Sequence, residues 1–342
     1  MAKLTIRDIA QLAGVSKSTV SLVLNESPKV DPGTRRHVLE VMRRHNYVPS
    51  FAATALSRGN TGLIGMIVPG LTWRFMADIN YGVAKVIEDT KYEIVLFTNT
   101  QESGYGGILD RILTSGLCAG LLVVVAYDQP FEPLVELNRA GTPTVAINTL
   151  GRPIALPSVT SDNHAGGVAV GRHLTALGHR RIASVLGPID HPYVQERRRG
   201  LRDALADAGI EPDPALELDT GFVDEAIREQ IRGLLALPPG HRPTAVFAYH
   251  DPAAFVVLDE IGRCGLKVPD DVSVVGFNDI DAASHLRPAL TTVRLPFAEM
   301  GSRAAEMVLR AVDRPDPAQP PERVVFPVDL IVRDSTGPVP VI

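Results

Sequence analysis

The chain contains no uncharged apolar run of about 18 residues or more, the length a helix needs to cross a bilayer, so no membrane span is expected. Its opening segment, MAKLTIRDIA, lacks the apolar core of a secretory leader, and a cytoplasmic protein is expected. Cysteine is scarce. Cys118 precedes an apolar strand and Cys264 ends a helical segment, so both are read as small, buried or half-buried residues of a reducing compartment, with no disulfide or metal site. Tryptophan occurs once, as Trp73. The common catalytic signatures are missing: there is no GxSxG, no HExxH and no GxxxxGK[ST], and the glycines at 166, 167 and 171 do not form GxGxxG after a strand. The nine histidines are scattered, and His164, His173 and His179 read as surface or capping residues rather than metal ligands. An enzyme is therefore not expected, nor any cofactor.

Charge is unevenly spread. Residues 1–60 hold nine Lys and Arg against Asp8, Glu26, Asp31 and Glu40, a net +5, whereas residues 61–342 hold 25 basic against 35 acidic residues, a net −10. A basic head suited to phosphate thus precedes an acidic body. Within the head, Ile6, Ile9, Ala10 and Ala13 share one helical stripe, with Thr5 and Asp8 placed to cap its start. Gly14 ends that helix and Ser16 caps the next, where Val20, Val23 and Leu24 face inward while Ser18, Ser21, Leu22 and Asn25 face away. Two helices joined by a tight glycine turn form a helix-turn-helix. A third helix starts at Asp31 and Pro32 and is expected to bury Val38, Leu39, Val41 and Met42.

Beyond residue 62, apolar runs alternate with amphipathic segments. Strands are expected near 63–68, 92–97, 119–125 and 143–147, then near 157–160, 181–186, 215–219, 244–248 and 272–276, the second group forming a second parallel sheet. Ligands of such sheets sit beyond the carboxyl ends of the strands. The loops there carry Trp73, Phe75, Asn148, His191, Tyr193, Arg197, Phe222, His250 with Asp251, and Asn278. Aromatic faces with planar hydrogen-bonding groups suit a sugar.

Specific motifs sharpen this reading: TIRDIA at 5–10, AGVS at 13–16, TVS at 19–21, LN at 24–25, TRRHV at 34–38, NYVP at 46–49 and GLIGMIVP at 62–69. In order and spacing they closely resemble the lactose- and galactose-repressor (LacI/GalR) family of bacterial transcription regulators. SDNHAGG (161–167), LGHRRIA (177–183), VPDDVSVVGFND (268–279) and PALTTVRLPFAEMG (288–301) extend the resemblance over nearly the whole chain. It implies a small all-α helix-turn-helix head, residues 1–49, and a hinge helix and linker, residues 50–61. The body is an α/β, two-lobed, periplasmic-binding-protein-like unit: 62–161 with 294–322 as one lobe, 162–293 with 323–334 as the other, and 335–342 as a tail. Crossings between lobes are expected near residues 161, 293 and 322.

The same resemblance implies double-stranded operator DNA and a small-molecule effector, a mono- or oligosaccharide in the leading reading, as partners. Thr5, Ser16, Lys17, Ser18, Thr19, Ser21, Leu22 and Asn25 are the DNA-binding candidates, and Leu56 is the hinge residue placed to enter the minor groove and bend the duplex. Arg197, three residues before Gly200, matches the family's effector-binding arginine. His250 stands in place of a usual Asn, Asn278 in place of a common Asp, and Trp73-Arg74 in place of Asn-Pro. These departures leave room for an acidic or phosphorylated sugar, and a purine or a protein corepressor stays open as an alternative to a sugar. A solute-binding receptor would share the body but not the head. The terminal DSTGPVPVI has no leucine heptads of the kind that make some relatives tetrameric, so a homodimer on a near-palindrome is expected. Lys17 is the only charged donor of the recognition helix. Lys17→Ala is expected to weaken cognate binding by about 1–3 kcal/mol and to relax one position in each half-site, measured by competition with single-base operator variants. An equal loss on every sequence would make Lys17 a phosphate contact.

Overall fold

The computed structural model describes residues 4–25, 27–48, 61–68, 73–98, 106–125, 130–149, 154–316 and 320–340. The hinge residue Leu56 and nearly all of segment 50–61 lie outside them. The head contains α1 (Ile6–Leu12), α2 (Lys17–Leu24) and α3 (Pro32–Arg44). Each helix begins on a cap that satisfies amides left open at a helix start. Thr5 and Asp8 form a reciprocal capping box, Ser16 accepts from the Thr19 amide at 3.0 Å, and Asp31 accepts from the Thr34 amide at 3.0 Å. Ile9, Val20, Val23, Val38, Val41 and Met42 close the head's core. Leu39, expected in that core, is 38% exposed. It sits one residue from Val38 on a helix whose buried stripe is completed by Val41 and Met42, which turns it to the rim.

The body begins with β1 (Leu63–Val68), α4 (Met76–Ile87), β2 (Glu93–Thr98), α5 (Gly106–Ser115), β3 (Gly120–Val124), α6 (Glu132–Arg139), β4 (Thr144–Ile147) and β5 (Ser158–Ser161). It continues through α7 (Asn163–Ala176), β6 (Ile182–Leu186), α8 (Pro192–Asp207), β7 (Glu217–Asp219), α9 (Asp224–Leu235), β8 (Ala245–Ala248), α10 (Asp251–Arg263) and β9 (Ser273–Asn278). The remaining elements are α11 (Ala282–His285), β10 (Thr291–Arg294), α12 (Phe297–Asp313), β11 (Arg323–Phe326) and β12 (Asp329–Ile331). Two six-stranded sheets result. The first has the order β11-β5-β4-β3-β1-β2 and is wholly parallel. The second has the order β12-β10-β9-β8-β6-β7 and is parallel except for β12. The apolar strands β1 and β3, and β6 with its single serine, are buried along their whole length, as expected for strands covered by helices on both faces.

Two sequence expectations are corrected by the strand pairing. The run at 157–160 was expected to open the second sheet; as β5 it pairs with β4 in the first, Ile147 opposite Val159. Residues 323–326 were expected in the second lobe, yet β11 pairs with β5, Val324 opposite Val159, so the last crossing lies after Phe326 rather than near 322. The segment after residue 334 is no loose tail. Ser335 is fully buried; its hydroxyl accepts from the Thr291 amide and donates to the Val274 carbonyl, while its own carbonyl accepts from the Val274 amide. His179 is likewise buried, between the Thr244 hydroxyl and the Gly337 carbonyl, each at 3.0 Å, rather than on the surface. Cys264 is exposed and Cys118 half-buried.

Close helix contact builds both lobes. In the first, a Cβ at Gly82 of α4 would fall 1.8 Å from the Ala298 carbonyl oxygen of α12, and one at Gly301 would fall 2.3 Å from that of Ile79. In the second, Gly167 of α7 lies under the Arg197 carbonyl of α8, and Gly200 under that of His164, at 2.2 and 2.1 Å from the same hypothetical atom. Since backbone cannot yield as a flexible side chain can, Gly82→Ala is expected to cost about 1–3 kcal/mol, read as a lower midpoint of urea unfolding.

Candidate functional site

Two sites take shape. In the head, the start of α2 presents hydroxyls joined in a chain: Ser16 lies 2.7 Å from Ser18 and 2.8 Å from Thr19. Lys17 and Ser18 are exposed, Ser21 and Asn25 half-buried, and Leu22 offers an apolar surface that is 38% exposed. Thr5 also lies at a helix start, its hydroxyl donating to Asp8 at 2.7 Å. The Arg35 guanidinium donates to the Ser27 carbonyl at 2.5 Å, tying α3 to the turn after α2. Arg43 and Arg44 end α3 with positive charge in contact with solvent. Among the described residues, then, the expected reading helix is capped and exposed on its polar side.

In the body, Arg197 is the centre. It is 4% exposed, with its guanidinium carbon 4.4 Å from the Tyr193 ring centre and 3.7 Å from that of Phe277. It donates to Asn163 Oδ1 at 2.9 Å, to the Tyr249 carbonyl, and to Asn278 Oδ1 at 3.4 Å. Burial pushes its pKa down to about 10. Around it the rings of His191 and Tyr193 lie 4.1 Å apart, His191 and Phe222 5.6 Å, Phe222 and Tyr249 5.2 Å, and Tyr249 and His250 4.0 Å. Phe222 is 42% exposed and lies over Gly187, where a Cβ would meet its ring at 2.3 Å. The structure therefore gathers His191, Tyr193, Arg197, Phe222, His250 and Asn278 into one cluster. Trp73 and Phe75 form another group, with centroids 5.5 Å apart and Phe75 stacked on Phe297 at 4.8 Å. Among the described residues no ring contact joins the two groups.

Backbone strain marks the same places. Of the five described non-glycine residues with positive φ, Asn148, Phe222 and Asn278 are effector candidates, and Asp279 follows one of them. Such conformations persist only where the surroundings impose them, and they concentrate at functional sites. Asp279 is held by two arginines: Oδ2 accepts from Arg294 at 2.7 Å and Oδ1 lies 2.7 Å from Arg333. Arg294 ends β10 just before the second crossing, and Arg333 follows β12 after the third. The loop that touches Arg197 is thereby tied to two of the segments that connect the lobes.

Beside His250 the same loop carries Asp251, whose burial the sequence did not signal. Asp251, the first residue of α10, is fully buried; its carboxylate accepts from the Thr292 hydroxyl at 2.5 Å and the Ile280 amide at 2.8 Å. Burial raises its pKa to about 7 against the pull of those hydrogen bonds. Gly276 leaves room for it, since a Cβ there would fall 2.4 Å from Asp251 Oδ1. Asn163, Tyr249 and Phe277 complete the cradle of Arg197. Thr149 and Ser161, at the ends of β4 and β5, keep buried hydroxyls without a hydrogen-bond partner. A separate open cleft of about 630 Å³, lined by Leu96, Phe97, Thr98, Arg111, Thr114 and Leu117, contains none of the effector candidates.

The bacterial regulatory proteins of the lacI family match residues 5–50, and the periplasmic binding protein-like domain matches residues 172–336. The transcriptional repressor PurR of Photobacterium profundum is 32% identical, over 97% of this chain and 98% of its own length. The chain belongs to the LacI family. As a LacI-family protein it is a DNA-binding transcriptional regulator. The structure of a CelR–cellobiose complex is 31% identical, covers 97% of this chain and 99% of CelR, and has a TM-score of 0.70. The lac repressor dimer bound to operator and the anti-inducer ONPF is 25% identical, covers 98% and 100%, and has a TM-score of 0.84. Among the described residues no helix of this LacI-family chain is long and apolar enough to cross a membrane, and no cluster of three His, Cys, Asp or Glu could hold a metal.

His250 gives the site a measurable acid response. Its Nδ1 accepts from the Ala253 amide at 2.9 Å and so caps α10, and burial, reinforced by Arg197, pushes its pKa down to about 4. Between that value and about 6.5 the unfolded chain holds a proton that the folded one refuses, so acid removes stability. Asp251 acts oppositely, its raised pKa favouring the fold as pH falls from about 7. His250→Asn keeps a good cap and leaves Asp251 in place. From pH 7.5 to pH 5 the stability of the variant relative to the parent is expected to improve by about 1–2 kcal/mol, measured by thermal unfolding across that range.

Proposed function

We propose that this protein is a repressor that binds a near-palindromic operator as a homodimer and is controlled by a small carbohydrate held between the lobes. The observation that carries this reading is the gathering of Arg197, five rings and strained Asn278 beyond the carboxyl ends of the second sheet, in a chain that also bears a capped helix-turn-helix. Aromatic faces accept the C–H surface of a sugar, while the buried donors penalise ligands that leave them unpaired. The cellobiose of the CelR complex supports the carbohydrate class. Thr149 and Ser161 add unused hydroxyls at the facing strand ends of the first lobe.

The dimeric operator complex of the lac repressor supports the assembly. So does the outer edge of the first sheet, where β2 exposes Leu96 and α4 exposes Tyr81. In the proposed mechanism, residues 1–49 read DNA, residues 50–61 fold on the operator with Leu56 in the minor groove, and closure of the lobes shifts the spacing of the two hinges. The Asp279–Arg294–Arg333 link supports such coupling, because a ligand that moves the Asn278 loop pulls on both crossings. Catalysis has no part in this scheme, and the protein acts where the chromosome is, in the cytoplasm. A purine is the second reading, favoured by the flat ring faces around Phe222 and Tyr249.

Fluorescence of Trp73, the only tryptophan, offers the test. Titration with sugars and purines, with and without operator DNA, is expected to give a saturable change whose affinity shifts about 5–150-fold with DNA. The same compound must shift operator affinity by the same factor, and a ligand lacking that reciprocity is not the effector.

A further inference from the structure

Arg197 is a buried cation that no carboxylate contacts among the described residues; Asp251 acts on it only from a longer distance. No carboxylate lies within ion-pairing distance of it, although eighteen such pairs occur among the described residues. Its three recorded partners, the Asn163 amide, the Tyr249 carbonyl and the Asn278 amide, are all neutral. A guanidinium carries five N–H donors, so two remain unused. The neighbouring acids are committed elsewhere: Asp251 to the Thr292 hydroxyl and the Ile280 amide, Asp279 to Arg294 and Arg333. The rings of Tyr193 and Phe277 cover the guanidinium and keep water from it, and a desolvated charge of this kind is costly until an anion meets it.

We propose that the effector is an acidic carbohydrate, whose carboxylate pairs with Arg197. The inference rests on the carbohydrate reading above and narrows it. A planar carboxylate presents two acceptors to the free N–H groups, and the charge-assisted bonds so formed are about twice as strong as those of a hydroxyl. Asn278 leaves the place beside Arg197 uncharged, and so does not repel the ligand's anion. An aspartate there would occupy the guanidinium from within.

The test uses the full-length protein and its Asn278→Asp variant, a near-isosteric change that supplies the missing anion. Thermal unfolding is followed alone and with matched pairs: galactose and galacturonate, glucose and glucuronate, with glucose 6-phosphate and hypoxanthine as further arms. Ligand-free Asn278→Asp is expected to melt several degrees above the parent, and this rise supports the proposal even where no compound binds. In the parent, an acid is expected to bind at least about tenfold more tightly than its neutral partner, with that preference lost in the variant. A variant no more stable than its parent overturns the proposal, because Arg197 then has no unmet charge. Equal or tighter binding of the neutral sugar also overturns it while keeping the carbohydrate reading. A response to glucose 6-phosphate alone or to hypoxanthine alone overturns the carboxylate. Operator binding, followed by fluorescence anisotropy, reports separately on the regulator reading.

Discussion

The burial of one guanidinium organises the second lobe of this molecule. Arg197 stands on α8, yet its contacts come from Asn163 at the start of α7, Tyr249 after β8, and Asn278 at the end of β9. To bring it there, α8 must press on α7 closely enough that Gly167 sits against the Arg197 carbonyl. The rings that line the site and the left-handed backbone at Asn278 lie around that charge, and the next residue, Asp279, is held by Arg294 and Arg333. Desolvating a cation is unfavourable unless its surroundings are fixed in advance, which accounts for so many contacts converging on one side chain.

Much of this was legible in the sequence where the governing physics is local. Caps at Thr5, Ser16 and Asp31 depend on neighbours three residues away, and they formed as their spacing requires. Apolar strand runs were also visible, since a strand covered on both faces has no polar alternation to confuse it. Sheet membership was less visible. The residues of β5 and β11 look like any half-buried strand, and only pairing across more than 150 positions decides that both close the first sheet. Ser335 was opaque for the same reason: a C-terminal serine carries no sign that it will bridge Val274 and Thr291.

At the site, chemistry-bearing residues in strand-end loops were identifiable, whereas their supports were not. Asp251 stands beside His250 in one of those loops, but its burial becomes evident only when Thr292, Ile280 and Gly276 converge on it. Trp73 and Phe75 occupy a strand-end loop as expected, but they associate with Phe297, whose place on α12 follows a crossing that spacing alone locates loosely. The head and the body also differ in kind. The head presents an open polar helix whose outward side chains, Leu22 among them, have few packed neighbours; the cluster around Arg197 in the body is enclosed and so depends on packed neighbours.

The glycines between paired helices have an evolutionary consequence. At Gly82, Gly301, Gly167 and Gly200 one backbone rests on another, so each helix pair behaves as a single rigid block with no graded way to loosen. Variation that altered those positions would disturb every loop the block carries at once. Phe222, by contrast, is anchored by little more than Gly187 and its neighbouring rings, and can be exchanged without moving a helix. Change in the strand-end loops is therefore easily accommodated, while the helix frame beneath them drifts far more slowly.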